Sequence, residues 1–416
     1  MVVLQEAMSN TGSEVLARLR EYQPTRALPR DFYTSEAYYR LELDAIWYRD
    51  WLFAGHDCEL PQAGDFFTLQ VGEYPLLILR DRDGAIRAFH NACRHRGSRV
   101  CPEERGNVRR LVCPYHQWTY HLDGRLLAAR DMGEEFDREQ HSLRPVHLSR
   151  LGGYLFVCVA AVAPDFDAFA QQASPYLAPH RLQDTKVAQV STIVEHANWK
   201  LVWENNRECY HCAVNHPELC RSFPATPTVM GPNIDANARL TEAWTRWEAA
   251  GLPSRFDLAP RGQTRLTRLP LVEDAVSFTL DGAPAVSRPL SPTVRMSNVG
   301  SLLMFHYPST WGHVLGDHAT TFRVLPLSAT ETELTTKWLV HKDAQEGVDY
   351  SIERLTAVWS ATNDEDRRVC QENQWGVNSP SYEPGPYSPV HEAGVMQFVE
   401  WYRGHLLDRL GPGATP

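Results

Sequence analysis

Two short segments in the first third of the chain carry the residue types and spacing of a metal-cluster site. Cys93-Arg94-His95 is followed, after 17 residues, by Cys113-Pro114-Tyr115-His116, so the pattern is C-x-H then C-x2-H. Structural zinc sites more often pair C-x2–4-C with H-x3–5-H. Here each half supplies one thiolate and one imidazole. That fits a [2Fe–2S] cluster with one iron on Cys93 and Cys113 and the other on His95 and His116, a set that raises the reduction potential above that of an all-cysteine cluster. Gly97 and Pro114 suit tight ligand loops, and Trp118 and Tyr120 are placed to shield the cluster.

A second constellation follows at Glu208-x2-His211-x4-His216. Glu208 and His211 are three apart and neighbours on a helix face. His211 and His216 are five apart and would diverge by roughly 140° on an ideal helix. To bind one ion the helix must widen, as in a π-bulge, or break before Pro217. Two histidines call for a carboxylate to complete a facial triad with open positions for dioxygen. Along 355–373 an apolar stripe runs through Leu355, Val358, Trp359, Thr362, Val369 and Cys370. Asp366 falls on it, whereas Asp364 points away and Glu365 lies at its edge. An acid on a buried face is costly unless paired or metal-bound, so Asp366 is the candidate third ligand; pairing with Arg367 or Arg368 is the alternative.

Several elements must position these groups. Helical patterns cover 13–21, 35–46, 165–177, 199–215 and 348–373. Strand patterns cover 66–71, 74–79, 187–195, 301–307, 320–326 and 333–341, and Trp118–Tyr120 before Asp123-Gly124 reads as a hairpin. The apolar run 151–163 reads as a buried strand and is too short for a membrane span. The stretch 223–292, rich in Pro, Gly and Ala, reads as excursions over a core. The expected class is α+β: an entry segment (1–47), a β-rich cluster domain (48–160) and an α+β catalytic domain with an antiparallel sheet (161–416).

The 416 residues are 43% hydrophobic and 22% charged, with net charge −10. That composition supports large cores and argues against nucleic acid or an anionic membrane as partner. The N-terminus shows no secretory pattern, so the cytoplasm is the expected compartment. The nine cysteines are then expected to be reduced, and Cys209, Cys212 and Cys220 read as buried thiols.

The run C-R-H-R-G…C-P-Y-H-Q-W-T-Y resembles the Rieske domain of ring-hydroxylating-type oxygenases, with Gln117 where many members carry Gly. Residues 363–376 resemble the part of these oxygenases that carries the third iron ligand. The resemblance implies a mononuclear iron as well as the cluster, with O2 as co-substrate and electrons from NAD(P)H through a separate flavin/ferredoxin-type reductase. It also implies a homotrimer, in which Glu208, commonly Asp in this family, links an iron histidine to a cluster histidine of the neighbouring subunit.

E-N-N-R-E-C-Y-H-C…N-H-P-E-L-C (204–220), W-L-V-H-K-D-A (338–344) and G-P-Y-S-P (385–389) resemble the betaine demethylase branch. This implies N-demethylation of glycine betaine or proline betaine to a tertiary amine and formaldehyde. Phe305, Tyr307 and Trp311 are candidate cation–π faces for the quaternary ammonium, or ordinary core aromatics. An aromatic ring-hydroxylating dioxygenase would share every metal ligand. A cluster-only electron carrier would leave the second constellation without a use, and a betaine-binding protein would hold no iron.

Overall fold

The computed structural model describes residues 2–224, 237–259, 262–272, 274–292, 296 and 298–411, and the chain divides into two units, 47–166 and 1–46 with 167–416. The entry segment of the larger unit holds α1 (Val2–Glu21), α2 (Asp31–Thr34) and α3 (Glu36–Glu42). Ser35 caps α3 by accepting from the Tyr38 N–H, the usual solution for an orphan N-terminal donor.

The smaller unit is all-β. Its strands are β1 (Leu52–His56), β2 (Asp65–Val71), β3 (Tyr74–Arg80), β4 (Ile86–His90), β5 (Arg105–Asn107), β6 (Leu111–Val112), β7 (Thr119–Tyr120), β8 (Leu126–Ala128), β9 (His147–Leu151) and β10 (Tyr154–Cys158). They form three antiparallel sheets, β1-β10-β9, β4-β3-β2-β5 and β6-β7-β8. Leu77, Leu79, Phe89, Trp118 and Tyr120 pack with Cys93 and Cys113 in one buried cluster, so the two candidate ligand loops stand on a rigid base.

The larger unit is built on a seven-stranded antiparallel sheet. In chain order its strands are β11 (Thr185–Glu195), β12 (Asp257–Leu258), β13 (Thr264–Leu269), β14 (Ser301–His306), β15 (Thr310–Val314), β16 (Ala319–Ser328) and β17 (Glu331–His341). The spatial order β11-β17-β16-β15-β14-β13-β12 is a meander from β12 to β17 with β11 added at the far edge. Its helices are α4 (Asp167–Leu177), α5 (Trp199–Asn206), α6 (Cys212–Asn215), α7 (Ala238–Ala249), α8 (Ile352–Asn378) and α9 (Ala393–Leu410). Among the described residues no helix is long and apolar enough to cross a membrane.

The stretch 223–292 is more than excursions. Residues 225–236, 260–261 and 273 lie outside the described residues, but β13 is an inner strand of the sheet. Its sequence, T-R-L-T-R-L, buries Arg265 and Arg268, each at most 1% exposed. Charges at core positions disguise a strand from any hydrophobicity pattern.

Two polar devices place the helices that matter. Buried Glu42 of α3 accepts from Lys200 Nζ at 2.7 Å, Trp199 Nε1 at 2.8 Å and Tyr402 Oη at 2.5 Å, tying α3, α5 and α9 together. Gln374 Oε1 of α8 accepts the Asn198 N–H at 2.8 Å, and Asn363 Nδ2 donates to Thr336 Oγ1 of β17 at 2.9 Å. Buried polar groups need such partners to be tolerated, and these fix the register of α8 against α5 and the sheet.

Candidate metal centres

The first site lies at the tips of two loops. In one, the Gly97 N–H donates to Cys93 O at 2.9 Å, and in the other the Gln117 N–H donates to Cys113 O at 3.0 Å. Gly97 (φ 82°) and Gln117 (φ 58°) both take the left-handed backbone that closes such turns. Glycine adopts it freely, while Gln117 holds it at a cost of about 1–2 kcal/mol. Cys93 and Cys113 are buried, whereas His95 and His116 are exposed. The two histidine Nδ1 atoms face each other at 3.2 Å, and His95 stacks on Trp118 with ring centroids 4.9 Å apart. Burial pushes the Cys93 thiol up, and the Tyr120 hydroxyl, 3.2 Å from its sulfur, draws it back toward thiolate. Two buried sulfurs beneath two convergent imidazoles match the donor set of a cluster with unlike irons.

The second site sits where the helical pattern over 199–215 fails. The helix α5 ends at Asn206, residues 207–211 turn, and α6 begins at Cys212. The break brings the His211 and His216 ring centroids to 5.0 Å. Asp366 Oδ1, from α8, lies 2.9 Å from His216 Nε2 and 3.3 Å from His211 Nε2. Asp366 Oδ1 and His216 Nε2 are both buried without a hydrogen-bond partner, two lone-pair atoms aimed at one point. The other ring nitrogens are taken by carboxylates. His211 Nδ1 donates to Glu208 and His216 Nδ1 donates to Glu365 at 2.8 Å. These bonds place the protons on Nδ1 and leave Nε2 free to ligate.

The site's field is that of a cation site. Burial lowers the His211 pKa, but Asp366 and Glu208 carry it up to about 9. Burial raises Asp366, and the two imidazoles outweigh it, holding its carboxyl below the ordinary value. The residues present therefore fit a mononuclear ion held by His211, His216 and Asp366.

Spacing and periodicity point to the convergent set, but they do not reveal Glu365, whose use depends on the direction of the His216 ring. They also do not reveal Asn205, whose Nδ2 lies 3.4 Å from His211 Nε2.

Cys209 and Cys212 correct an expectation. They are joined in a disulfide with Cα atoms 4.9 Å apart, while Cys220 is free. Cysteines three apart on a continuous helix hold their Cβ atoms too far apart for the bond; the helix break brings them together. Cys212 Sγ lies within 4.8 Å of a donor nitrogen of each histidine, but a sulfur committed to a disulfide is not a thiolate ligand. Alkylating denatured, metal-free chains is expected to label seven thiols without reductant and nine after reduction. Nine labels in both samples, read by intact mass, would remove the disulfide.

A cavity opens beside the second site, its wall including Arg207, Phe223, Leu303, His313 and Trp359. Burial and His318 push His313 down to about 3, so it is neutral. Trp359, on the face of α8 that carries Asp366 two turns later, stacks on His313 with centroids 4.9 Å apart. Phe305, Tyr307 and Trp311 do not line this cavity. They pack around Trp203, Phe398 and Trp401 or against Phe322, as core aromatics beneath α9. The cavity's aromatic faces are Phe223 and Trp359 instead.

An all-β unit with paired Cys/His loops and an α+β unit with two histidines and an aspartate together define a Rieske non-haem iron oxygenase. Residues 50–144 match the Rieske [2Fe-2S] domain and residues 182–408 match the ring hydroxylating alpha subunit (catalytic domain); the chain belongs to this oxygenase family. It is similar to the glycine betaine monooxygenase oxygenase subunit of Chromohalobacter salexigens, 48% identical over 94% of this chain and 88% of that one. It is also similar to the subunit of that name in Pseudomonas aeruginosa, 45% identical over 94% and 92%. The fold matches the quaternary ammonium Rieske monooxygenase CntA, with TM-score 0.71 and 22% identity over 92% of this chain and 96% of that one.

Proposed function

We propose that the chain is the oxygenase subunit of a monooxygenase that N-demethylates a quaternary ammonium betaine, with glycine betaine as the first substrate to test. The observation that carries this reading is the convergence of His211, His216 and Asp366 beside a cavity faced by Trp359 and Phe223, in a chain 48% identical to a glycine betaine monooxygenase oxygenase subunit. A methylated ammonium cannot shed its charge, and aromatic faces accommodate it where a hydrogen-bonding wall would not.

Iron bound by the three residues supplies O2 activation, and the cluster supplies electrons from a separate reductase. The chain's own part is to hold and orient. Glu208 and Glu365 fix the imidazole tautomers. Trp359 and Phe223 set the ammonium so that one N-methyl faces the metal ligands. Oxidation of that methyl with one oxygen atom of O2, the other leaving as water, gives an N-hydroxymethyl cation. It loses formaldehyde and a proton and leaves the tertiary amine.

On this reading Cys93, Cys113, His95 and His116 hold the cluster. The working form is a homotrimer in which Glu208 connects His211 to a cluster histidine of a second copy.

The test is formaldehyde release by iron-loaded protein with a surrogate flavin reductase, NADH and O2. The panel is glycine betaine, proline betaine, choline, carnitine and an aromatic acid. Formaldehyde in step with loss of one betaine is the expected result. A cis-diol from the aromatic acid, with no formaldehyde from any amine, would move the assignment to a ring-hydroxylating dioxygenase.

A further inference from the structure

Hydroxylation of a methyl group by O2 takes up two electrons and two protons, because the second oxygen atom leaves as water. A reductase supplies the electrons, and the protons must come from solvent. Among the described residues, the acids in the wall of the cavity beside the two histidines are Glu208 and Asp366, and both are engaged by histidines. His313, pushed down to about 3, offers no acidic proton.

A second cavity, of about 250 Å³, adjoins the first and shares Asn205, Glu208 and His211 with it. Its wall includes Asn373 and Gly385, which are exposed, so it reaches the surface. A polar space of that size can hold a chain of waters. Glu204 of α5 stands in its wall. Glu204 Oε1 accepts from Tyr33 Oη at 2.8 Å, and Oε2 accepts from Tyr387 Oη at 3.2 Å. Glu392, in the same wall, accepts the Ser388 N–H at 2.5 Å. Where the cavities meet, Asn205 Nδ2 lies 3.4 Å from His211 Nε2.

Burial pushes Glu204 up, Glu392 adds to the push, and Tyr33, Tyr387 and Lys200 draw it partly back, leaving it at about 7. Tyr22, Tyr382, Tyr402 and Cys370 also feel its charge, and burial pushes each of them up, so they stay protonated where Glu204 titrates. Glu195, pushed up to about 8 by burial and Asp366, lines neither cavity. A carboxyl poised near neutral pH both takes a proton from water and gives it up.

We propose that Glu204, seated by Tyr33 and Tyr387, is the proton relay of the hydroxylation, loading protons from solvent and passing them through water past Asn205 to the cavity that takes the substrate. This rests on the demethylase reading and deepens it by naming where its protons enter. Two protons pass for each oxygen atom released as water. Each one that Glu204 gives up is replaced from the surface end of its cavity, so the chain ends the cycle unchanged.

Holoenzyme is assayed with glycine betaine across neutral pH. Wild-type kcat is expected to hold below about 7 and to fall as pH rises through it, because only protonated Glu204 can donate. Glu204→Gln keeps the shape and cannot carry a proton. Its kcat should drop on the order of 100-fold with KM little changed. Its falling limb should vanish, and D2O should slow it more than it slows wild type. Tyr387→Phe removes a bond that favours the charged form, so its limb should move to higher pH by about one unit. If Glu204→Gln does not fold, that upward move carries the test, and a limb that stays in place rejects the relay.

Wild-type kcat in Glu204→Gln overturns the inference. A slow variant that keeps the wild-type limb and the wild-type response to D2O also overturns it, and leaves Glu204 a structural acid. If no quaternary amine turns over, the demethylase reading has failed separately. The infrared band of protonated carboxyls, titrated in iron-loaded protein, then still decides. A component titrating near neutral pH that Glu204→Gln removes supports the relay, and an unchanged titration in the variant rejects it.

Discussion

Asp366→Ala is expected to leave the cluster's visible absorption intact while iron per chain falls from roughly three to roughly two, because a cluster of this kind holds two irons and the lost one is mononuclear. Asp366 Oδ1 stands 2.9 Å and 3.3 Å from the two histidine nitrogens and has no hydrogen-bond partner. Removing it leaves two neutral donors and no charge to offset a dication. Turnover should drop on the order of 1,000-fold, the size expected when metal-derived stabilisation worth several kcal/mol is lost. Asp364→Ala is the control: Asp364 is exposed and pairs with Arg367 at 2.8 Å, an arrangement worth little. Colorimetric iron and the reduced-cluster spectrum decide the matter. Full mononuclear iron and turnover in Asp366→Ala would return Asp366 to the role of an ordinary half-buried acid.

The parts of the site that could be read from the chain are those in which chemistry restricts residue type and local geometry restricts spacing. C-x-H with C-x2-H admits few metals, and a histidine pair five apart forces a break in whatever helix carries it. The break between Asn206 and Cys212 is the structural answer. Helical periodicity could point to Asp366 because α8 is long and buries one face.

Residues whose roles depend on partners from distant segments were hidden. Glu365 matters because the His216 ring turns its Nδ1 toward α8, and nothing within 363–376 encodes that. Phe305 lies in β14 and Tyr307 just past its end, but the sheet register pairs Phe305 with Trp311 and α9 covers them, so a stretch rich in aromatics became core. Trp359 was within reach of sequence reasoning, since it sits seven residues before Asp366, two turns along the same buried face. Charged residues misled most: Arg265 and Arg268 made β13 look like loop, and their burial follows from tertiary surroundings alone.

The two carboxylates behind the histidines look alike in a single subunit, and separating them gives the second large expected effect. Among the described residues Glu365 accepts from His216 of its own chain at 2.8 Å, and the role expected of it is to orient and polarise a ligand. Glu365→Gln should weaken iron binding by about 10–100-fold, and excess Fe(II) should restore turnover. Glu208 accepts from His211 Nδ1 and from the Tyr210 backbone N–H. If it also accepts a cluster histidine of a second copy, Glu208→Gln loses one of the two imidazole bonds, since a carboxamide presents one acceptor where the carboxylate has two. Iron occupancy should then fall modestly, whereas steady-state turnover falls on the order of 100-fold or more and Fe(II) does not restore it. Stopped-flow reoxidation of the reduced cluster reads the electron step directly. It should be slow in Glu208→Gln and near wild type in iron-saturated Glu365→Gln. Equal rescue of both variants by iron would reduce Glu208 to a second orienting acid and leave the electron path to other groups.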